Sequence, residues 1–406
     1  MRSRSSICGG RSTRCQASVA CFIIIAVVLA TFLYFRFRHH APPLSVIHKR
    51  RVSMRGCDGN IEVYAQDFVV LHNAKHVHGD HFAVPCSGPL PWYRFIYQWG
   101  RPSPLQTWIQ HLHAYQPSIA ESNQAKHATD SVYVIQRIEA HNLYHTLCEW
   151  MNVFIVSQIL KLNTSNVDIM FIDDRPYNSL ESVWRTLFGN VYSHNATDKG
   201  IVHRRIVWNM IGYISPANNH DLPELPYIEE FQTFVLDAYG IKKRYHIDCK
   251  NVQVSIIYRR DYITHPERIT KMKGLVQRKF RNELEIFSSV KVAIPLSTVT
   301  TLVLEEMSMR EQLSVMANTD ILIGMHGAGL THVLFVPDHA VLFELFPNYH
   351  SQEIYKHFRT FSKWRFLKYI MWQNDNDALE FDDLSTYVPP EVIIEKCRYI
   401  RRYLCS

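Results

Sequence analysis

Several signatures that would place a chain in a function class at once are missing here. The nine cysteines include no C-x-x-C pair, so a structural zinc site is not expected, and no metal ligand set is assigned. The formal net charge of +7 comes with no basic tail: 44 Lys and Arg and 37 Asp and Glu are spread along 406 residues. Nucleic acid is therefore a poor candidate partner. No internal repeat and no long low-complexity tract occurs, which sets repeat architectures aside. The most glycine-rich stretch, G-x-x-G-x-G from Gly324, does not have the G-x-G-x-x-G spacing of the dinucleotide fingerprint. What remains is an ordinary globular balance, 47% hydrophobic and 20% charged, long enough for two domains.

One long apolar run is present. Residues 17–35, ASVACFIIIAVVLATFLYF, carry no charge and have about the length a bilayer needs. No small-x-small cleavage site follows, so an uncleaved signal anchor is expected, with residues 1–16 cytosolic and the bulk lumenal. Residues 36–60 read as a stem. Two sequons, at Asn163 and Asn195, and six cysteines after the anchor suit glycosylation and disulfides in an oxidising compartment. Cys57 with Cys86 is the local pairing expected. The C-terminus shows no ER-retention tetrapeptide, so either ER or Golgi membrane residence, single-pass type II, fits.

The chain is organised around residues 320–346, DILIGMHGAGLTHVLFVPDHAVLFELF. The pattern predicts strand, glycine-rich turn, short helix, turn and strand, a βαβ unit. Gly327 and Gly329 are expected to take positive φ and to let the backbone approach a ligand. With Ala328 they would open a helix N-terminus suited to a diphosphate. His326 stands at the mouth of the turn. Glu344 ends the next strand, at the edge where open α/β sheets bind ligands.

Elsewhere, Asn142 is an expected N-cap. His145 and Glu149, four residues apart on the helix that follows, would share one face. A strand at 252–258 ends in Arg259 and Arg260, whose planar guanidinium groups match phosphate oxygens. Asp173-Asp174 and Asp375-Asn376-Asp377 read as turns rather than metal ligands. His72, His76, His78 and His81 read as polar turn histidines. Helices are expected around 179–188, 227–239, 270–281, 309–318, 352–361 and 390–404, and strands around 167–172, 206–208, 290–294 and 366–372. The alternation predicts parallel sheets in two α/β domains, 61–215 and 216–406, meeting near the proline-rich loop 209–226.

HGAGLTH followed by LF-x-P and a strand ending FEL resembles the signature of family 61 glycosyltransferases. The segment with His145 and Glu149 is similar to that family's histidine–acid helix. The resemblance implies two Rossmann-like domains facing a cleft in the GT-B arrangement. It implies an inverting transfer from a nucleotide sugar, above all GlcNAc from UDP-GlcNAc, to a protein-linked hydroxyl of a secretory glycoprotein, on EGF-like domains or O-mannosyl glycans. In that scheme Arg259 or Arg260, His326 and Gly327–Gly329 hold the donor diphosphate, Glu344 the ribose, and His145 or Glu149 is the base. A UDP-xylose enzyme acting on N-glycans and a non-catalytic glycan-binding protein on the same fold are the alternatives. The family's second arginine has no assigned match here, because the segment Tyr262 to Arg268 departs from its pattern.

Overall fold

Strand β1 (Val52–Gly56) is the first described element of the computed structural model, which describes residues 52–64, 68–90, 108–116, 131–196, 201–208, 215–261 and 274–406. The apolar run 17–35, most of the expected stem and Arg268 lie outside the described residues. Among the described residues no helix is long and apolar enough to cross a membrane. The stem expectation reaches too far, because β1 pairs antiparallel with β2 (Ile61–Tyr64) and a disulfide ties Cys57 to Cys86. Strands β3 (Phe68–His78), β4 (His81–Pro85) and β5 (Leu112–Tyr115) follow, then β6 (Ser131–Ile135), helix α1 (Leu143–Leu160), β7 (Val167–Phe171), α2 (Glu181–Leu187), β8 (Val191–Ser193) and β9 (Val202–Trp208). They build a nine-stranded sheet ordered β1-β2-β3-β9-β6-β7-β8, with β4 and β5 on its edge. It is mixed rather than parallel throughout: β6 to β9 run parallel, and β3 joins β9 antiparallel. The buried runs of β6 and β7 are what a strand covered on both faces requires.

The second half contributes α3 (Ile228–Ala238), β10 (Val252–Tyr258), β11 (Lys279–Phe280), α4 (Glu283–Ala293), β12 (Ser297–Val303), α5 (Met309–Met316), β13 (Ile321–Met325), β14 (Val341–Phe346), α6 (His357–Trp364), β15 (Lys368–Gln373), β16 (Ser385–Thr386) and α7 (Pro390–Leu404). Five parallel strands are ordered β12-β10-β13-β14-β15, and β11 pairs with β16 apart from them. The strand expected at 290–294 is instead the end of α4. Ile286, Val290 and Ala293 are buried at helical spacing, and the strand comes later, in the alternating S-T-V-T-T-L-V of β12. The helix expected from residue 270 is likewise replaced, in its described part, by a turn and β11. Helix α5 starts at a capping box, Ser308 with Glu311. Leu313 and Met316 point inward, both fully buried.

Residues 49–406 form one compact unit that holds both sheets. One apolar cluster runs from Phe68 and Tyr133 through α1, α3 and the segment after β13 to Leu342 and Trp364. The helices between the sheets thus share a core. A second disulfide joins Cys249, ahead of β10, to Cys405 at the end of α7. Cys148 and Cys397 remain buried thiols, so the even cysteine count does not mean complete pairing.

Candidate active site

Counting β10 as the first strand of the parallel sheet, the order is 2-1-3-4-5, and the winding reverses between β10 and β13. In an open α/β sheet the crevice at the carboxyl ends of two such strands is where ligands bind. Arg259 follows β10 and the glycine turn follows β13. Arg259 Nη1 donates to the carbonyl of His326 at 3.1 Å, and the same end of its guanidinium lies against Gly327. A Cβ built on Gly327 would stand 1.8 Å from Nη1. The glycine is therefore required for space. Its φ of 169° is extended backbone, and neither Gly327 nor Gly329 enters the left-handed region, which corrects the expectation. The close approach is to the arginine side chain of the same protein. The turn leads into a seven-residue 3-10 helix, Ala328–Leu334, so the α-helical dipole expected there is reduced to a single short turn segment.

A cavity of about 140 Å³ opens beside these groups. Arg259, Gly327, Ala328, Gly329, Leu304 and Gln312 line it from the parallel sheet. His141, Leu143, Ser179 and Leu180 line it from the opposite half. The entry turn of α1 therefore faces the glycine turn.

On the other side of the turn, His326 and Glu344 form a buried pair, Nδ1 to Oε1 at 2.6 Å. Tyr369 donates its hydroxyl to Glu344 Oε2 at 2.7 Å. Glu344 is fully buried, and burial pushes its carboxyl up to about 8. Burial, together with the charges of Arg278 and Arg259, holds His326 well below the usual histidine range. Both groups are thus neutral near pH 7. A carboxyl so protonated would donate to Nδ1 and leave the ring proton on Nε2. Glu344 does not line the cavity, and both its oxygens are engaged inside the protein. The carboxyl expected to meet a ribose is turned instead to His326 and Tyr369.

Around His326 gather His350, Tyr355, His357 and Phe358, with ring centroids 4.9 to 5.6 Å away. His357 packs on Tyr144 and His220 at 4.6 and 4.7 Å. Arg278 Nη1 stands 3.0 Å from His350 Nε2. Burial lowers His350 to about 3, helped by Arg278, and His357 to about 2, helped by His220. Two permanent cations among neutral imidazoles make this pole of the crevice suited to an anion.

Of the predicted pair on α1, His145 stays near this cluster. It is 3.6 Å from Glu139, and burial lowers its pKa. Asn142 does cap the helix, accepting from the Tyr144 amide. Glu149 points elsewhere. It is fully buried, accepts the Ile138 amide at 3.2 Å, and leaves Oε2 without a hydrogen-bond partner among the described residues. Burial pushes it up to about 8. The two residues do lie four apart on α1, but the helix is buried nearly all round, and Glu149 is enclosed while His145 is partly exposed. Arg260 is drawn out to the surface by Glu283, with which it forms a two-pronged ion pair. Asp173 is locked to buried Arg137 at 2.7 Å. Asn163 and Asn195 are both exposed. The sequence reading missed Arg278, His220, His350 and His357, which reach the crevice from three separate loops and the first residue of α6 and have no motif spacing. The positive φ of Arg278 is likewise invisible in the sequence.

The profile of the family described as Glycosyltransferase 61 matches residues 127–343. The match takes in β6 to β9, α1, the Arg259 strand and the glycine turn. This chain belongs to the glycosyltransferase 61 family. Among curated relatives, it is 26% identical over 312 residues to a β-1,2-xylosyltransferase of Arabidopsis thaliana, covering 67% of this chain and 55% of the relative. It is 26% identical over 305 residues to an EGF domain-specific O-linked N-acetylglucosamine transferase of Gallus gallus, covering 71% and 53%. The chain thus spans about half the length of these relatives.

Proposed function

We propose that this protein is an inverting glycosyltransferase that places the diphosphate of a nucleotide sugar in the crevice between β10 and β13. The observation that carries this reading is Arg259 packed on Gly327 at the switch point of the sheet, with Arg278 acting on the same histidine. The two sheets would then serve as donor and acceptor halves of a GT-B arrangement, residues 216–406 and 61–215. Arg259 and Arg278, with the Gly327–Gly329 turn and His326, neutralise the charge that grows on the leaving phosphate. His145, held neutral and backed by Glu139, accepts the proton of the acceptor hydroxyl. That oxygen bonds to the anomeric carbon as the bond to the phosphate oxygen breaks, and the nucleoside diphosphate leaves. Every step is assigned to side chains of this chain, and the scheme contains no metal.

The donor is UDP-GlcNAc or UDP-xylose, since relatives named for each transfer match this chain equally well. The acceptor is a protein-linked hydroxyl or a protein-linked glycan. The apolar run 17–35, the sequons at Asn163 and Asn195 and the two disulfides support a membrane-anchored enzyme of the ER or Golgi lumen, glycosylated at both asparagines. Calorimetric titration with UDP tests the donor site. Arg259→Ala weakens UDP binding by about 100-fold, and Arg260→Ala stays within about threefold. Equal losses in the two variants contradict the assignment.

A further inference from the structure

We propose that Asp80, His81 and His111 form a binding site for a zinc-like divalent cation, on the edge of the nine-stranded sheet and independent of the transferase reading. Two of these residues sit side by side at the turn between β3 and β4, and the third arrives from 30 residues further on. Their ligating atoms all lie within 4.8 Å of one another. Asp80 Oδ2 is 3.2 Å from His111 Nδ1, and Asp80 Oδ1 is 3.7 Å from His81 Nε2. Ligands held 2.0–2.1 Å from a tetrahedral zinc ion stand about 3.4 Å apart, and the two separations, each to a different oxygen of Asp80, lie to either side of that value. The longer one exceeds an ordinary hydrogen bond.

The second coordination layer is also in place. His81 turns its other nitrogen, Nδ1, to His113 Nε2 at 2.9 Å. That is the outer hydrogen bond which orients a metal-bound imidazole and fixes its tautomer. The ligands stand on rigid supports. The turn is pinned by His76, buried, whose Nε2 lies 2.7 Å from the Gly79 carbonyl. Gly79 takes a φ of +53°, a conformation that favours glycine. His111 ends a 3-10 turn whose Trp108 is fully buried. Two imidazoles and one carboxylate select zinc, copper or nickel over calcium and magnesium, which take oxygen shells. Three protein ligands leave a fourth position for water. Bound there, the ion would pin β5, paired only with β4 among the described residues, to the β3–β4 turn.

The test uses the whole purified chain, stripped with EDTA and titrated with Zn²⁺ by calorimetry, and with Co²⁺ followed by visible absorption. One saturable site is expected. The melting temperature should rise by roughly 5 °C at a free zinc concentration about 100-fold above Kd, with no competition from Ca²⁺ or Mg²⁺. Asp80→Asn with His111→Gln should lower the affinity at least 100-fold. His113→Ala, which removes only the outer partner, should lower it about tenfold. Circular dichroism confirms that each variant is folded; the side chains of Asp80 and His111 are 24% and 20% exposed, so neither belongs to the buried core. No saturable site, or zinc affinity unchanged in the Asp80→Asn, His111→Gln variant, overturns the proposal. So does loss of the site in His357→Gln, which would move the ion to the crevice.

Discussion

Replacing Gly327 by alanine adds one methyl group, and the structure says where it goes. The new Cβ would lie 1.8 Å from Arg259 Nη1 and 2.9 Å from Cζ, so the guanidinium must leave. The backbone itself does not resist, because φ 169° and ψ 165° are open to any residue. The cost in stability is then that of moving one flexible side-chain end, on the order of 1 kcal/mol, a fall in melting temperature of about 2–3 °C. The cost in function is larger. Arg259 loses both its bond to the His326 carbonyl and its place at the crevice. Removing one preorganised group from a developing anion costs about 10²–10³ in rate, roughly 2.7–4 kcal/mol. Gly327→Ala should therefore lower kcat/KM to about the level of Arg259→Ala. The double variant should be no worse than Arg259→Ala alone, because the methyl then meets no guanidinium. Initial-rate kinetics on the four proteins close the cycle. Full activity in Gly327→Ala, or additive losses in the double variant, would refute the argument that this glycine exists to seat Arg259.

Three further outcomes follow from the buried groups. Glu344→Gln should keep activity within a few-fold, since an amide donates to His326 Nδ1 and accepts from Tyr369 as the protonated carboxyl does. Glu344→Ala should lose at least tenfold, and steady-state kinetics would expose an ionised or ligand-binding Glu344 by a large loss in the glutamine variant. Stability should peak near pH 6.5 in thermal scans. Below that pH, unfolded chains protonate His326, His332, His350 and His357, which burial keeps neutral in the fold, His332 down to about 4. Between about 6.5 and 8 the fold retains protons on Glu149 and Glu344, both pushed up to about 8 by burial, while the unfolded chain has released them. Stability therefore falls as pH rises through this window, and Glu344→Gln should flatten that arm. Cys405→Ser, which opens the link across 156 residues to Cys249, should cost about 2–5 kcal/mol in urea unfolding.

Much of the donor half is legible in the sequence. The apolar runs of β13 and β14 are uninterrupted, the glycines between them cannot continue a strand, and Arg259 follows a strand of seven residues, so their meeting at one sheet edge is a consequence of parallel topology. Asn142 and the capping box at Ser308 follow from local hydrogen bonding in the same way. Other features depend on contacts that spacing does not encode. Arg259 and Arg260 are adjacent and chemically identical, and only Glu283, on α4, decides which one turns outward. Glu149 reads as a partner of His145 on one helix face, but most of α1 is buried and Glu149 is enclosed with it. Gly327 reads as a ligand cradle, and its true neighbour is an arginine 68 residues earlier. Val290 and its neighbours have β-branched side chains that suit a strand, yet their burial follows a helical period.

Acceptor-dependent release of UDP by the purified protein is the most direct test of the whole account. UDP-GlcNAc, UDP-xylose, UDP-GalNAc and UDP-glucose would each be offered with a folded EGF-like domain, an O-mannosyl peptide and an N-glycopeptide. The account predicts release from UDP-GlcNAc or UDP-xylose with one of these acceptors, abolished about 100-fold by Arg259→Ala and by His145→Ala and kept by Arg260→Ala. A folded protein that neither binds UDP nor releases it from any donor would contradict it.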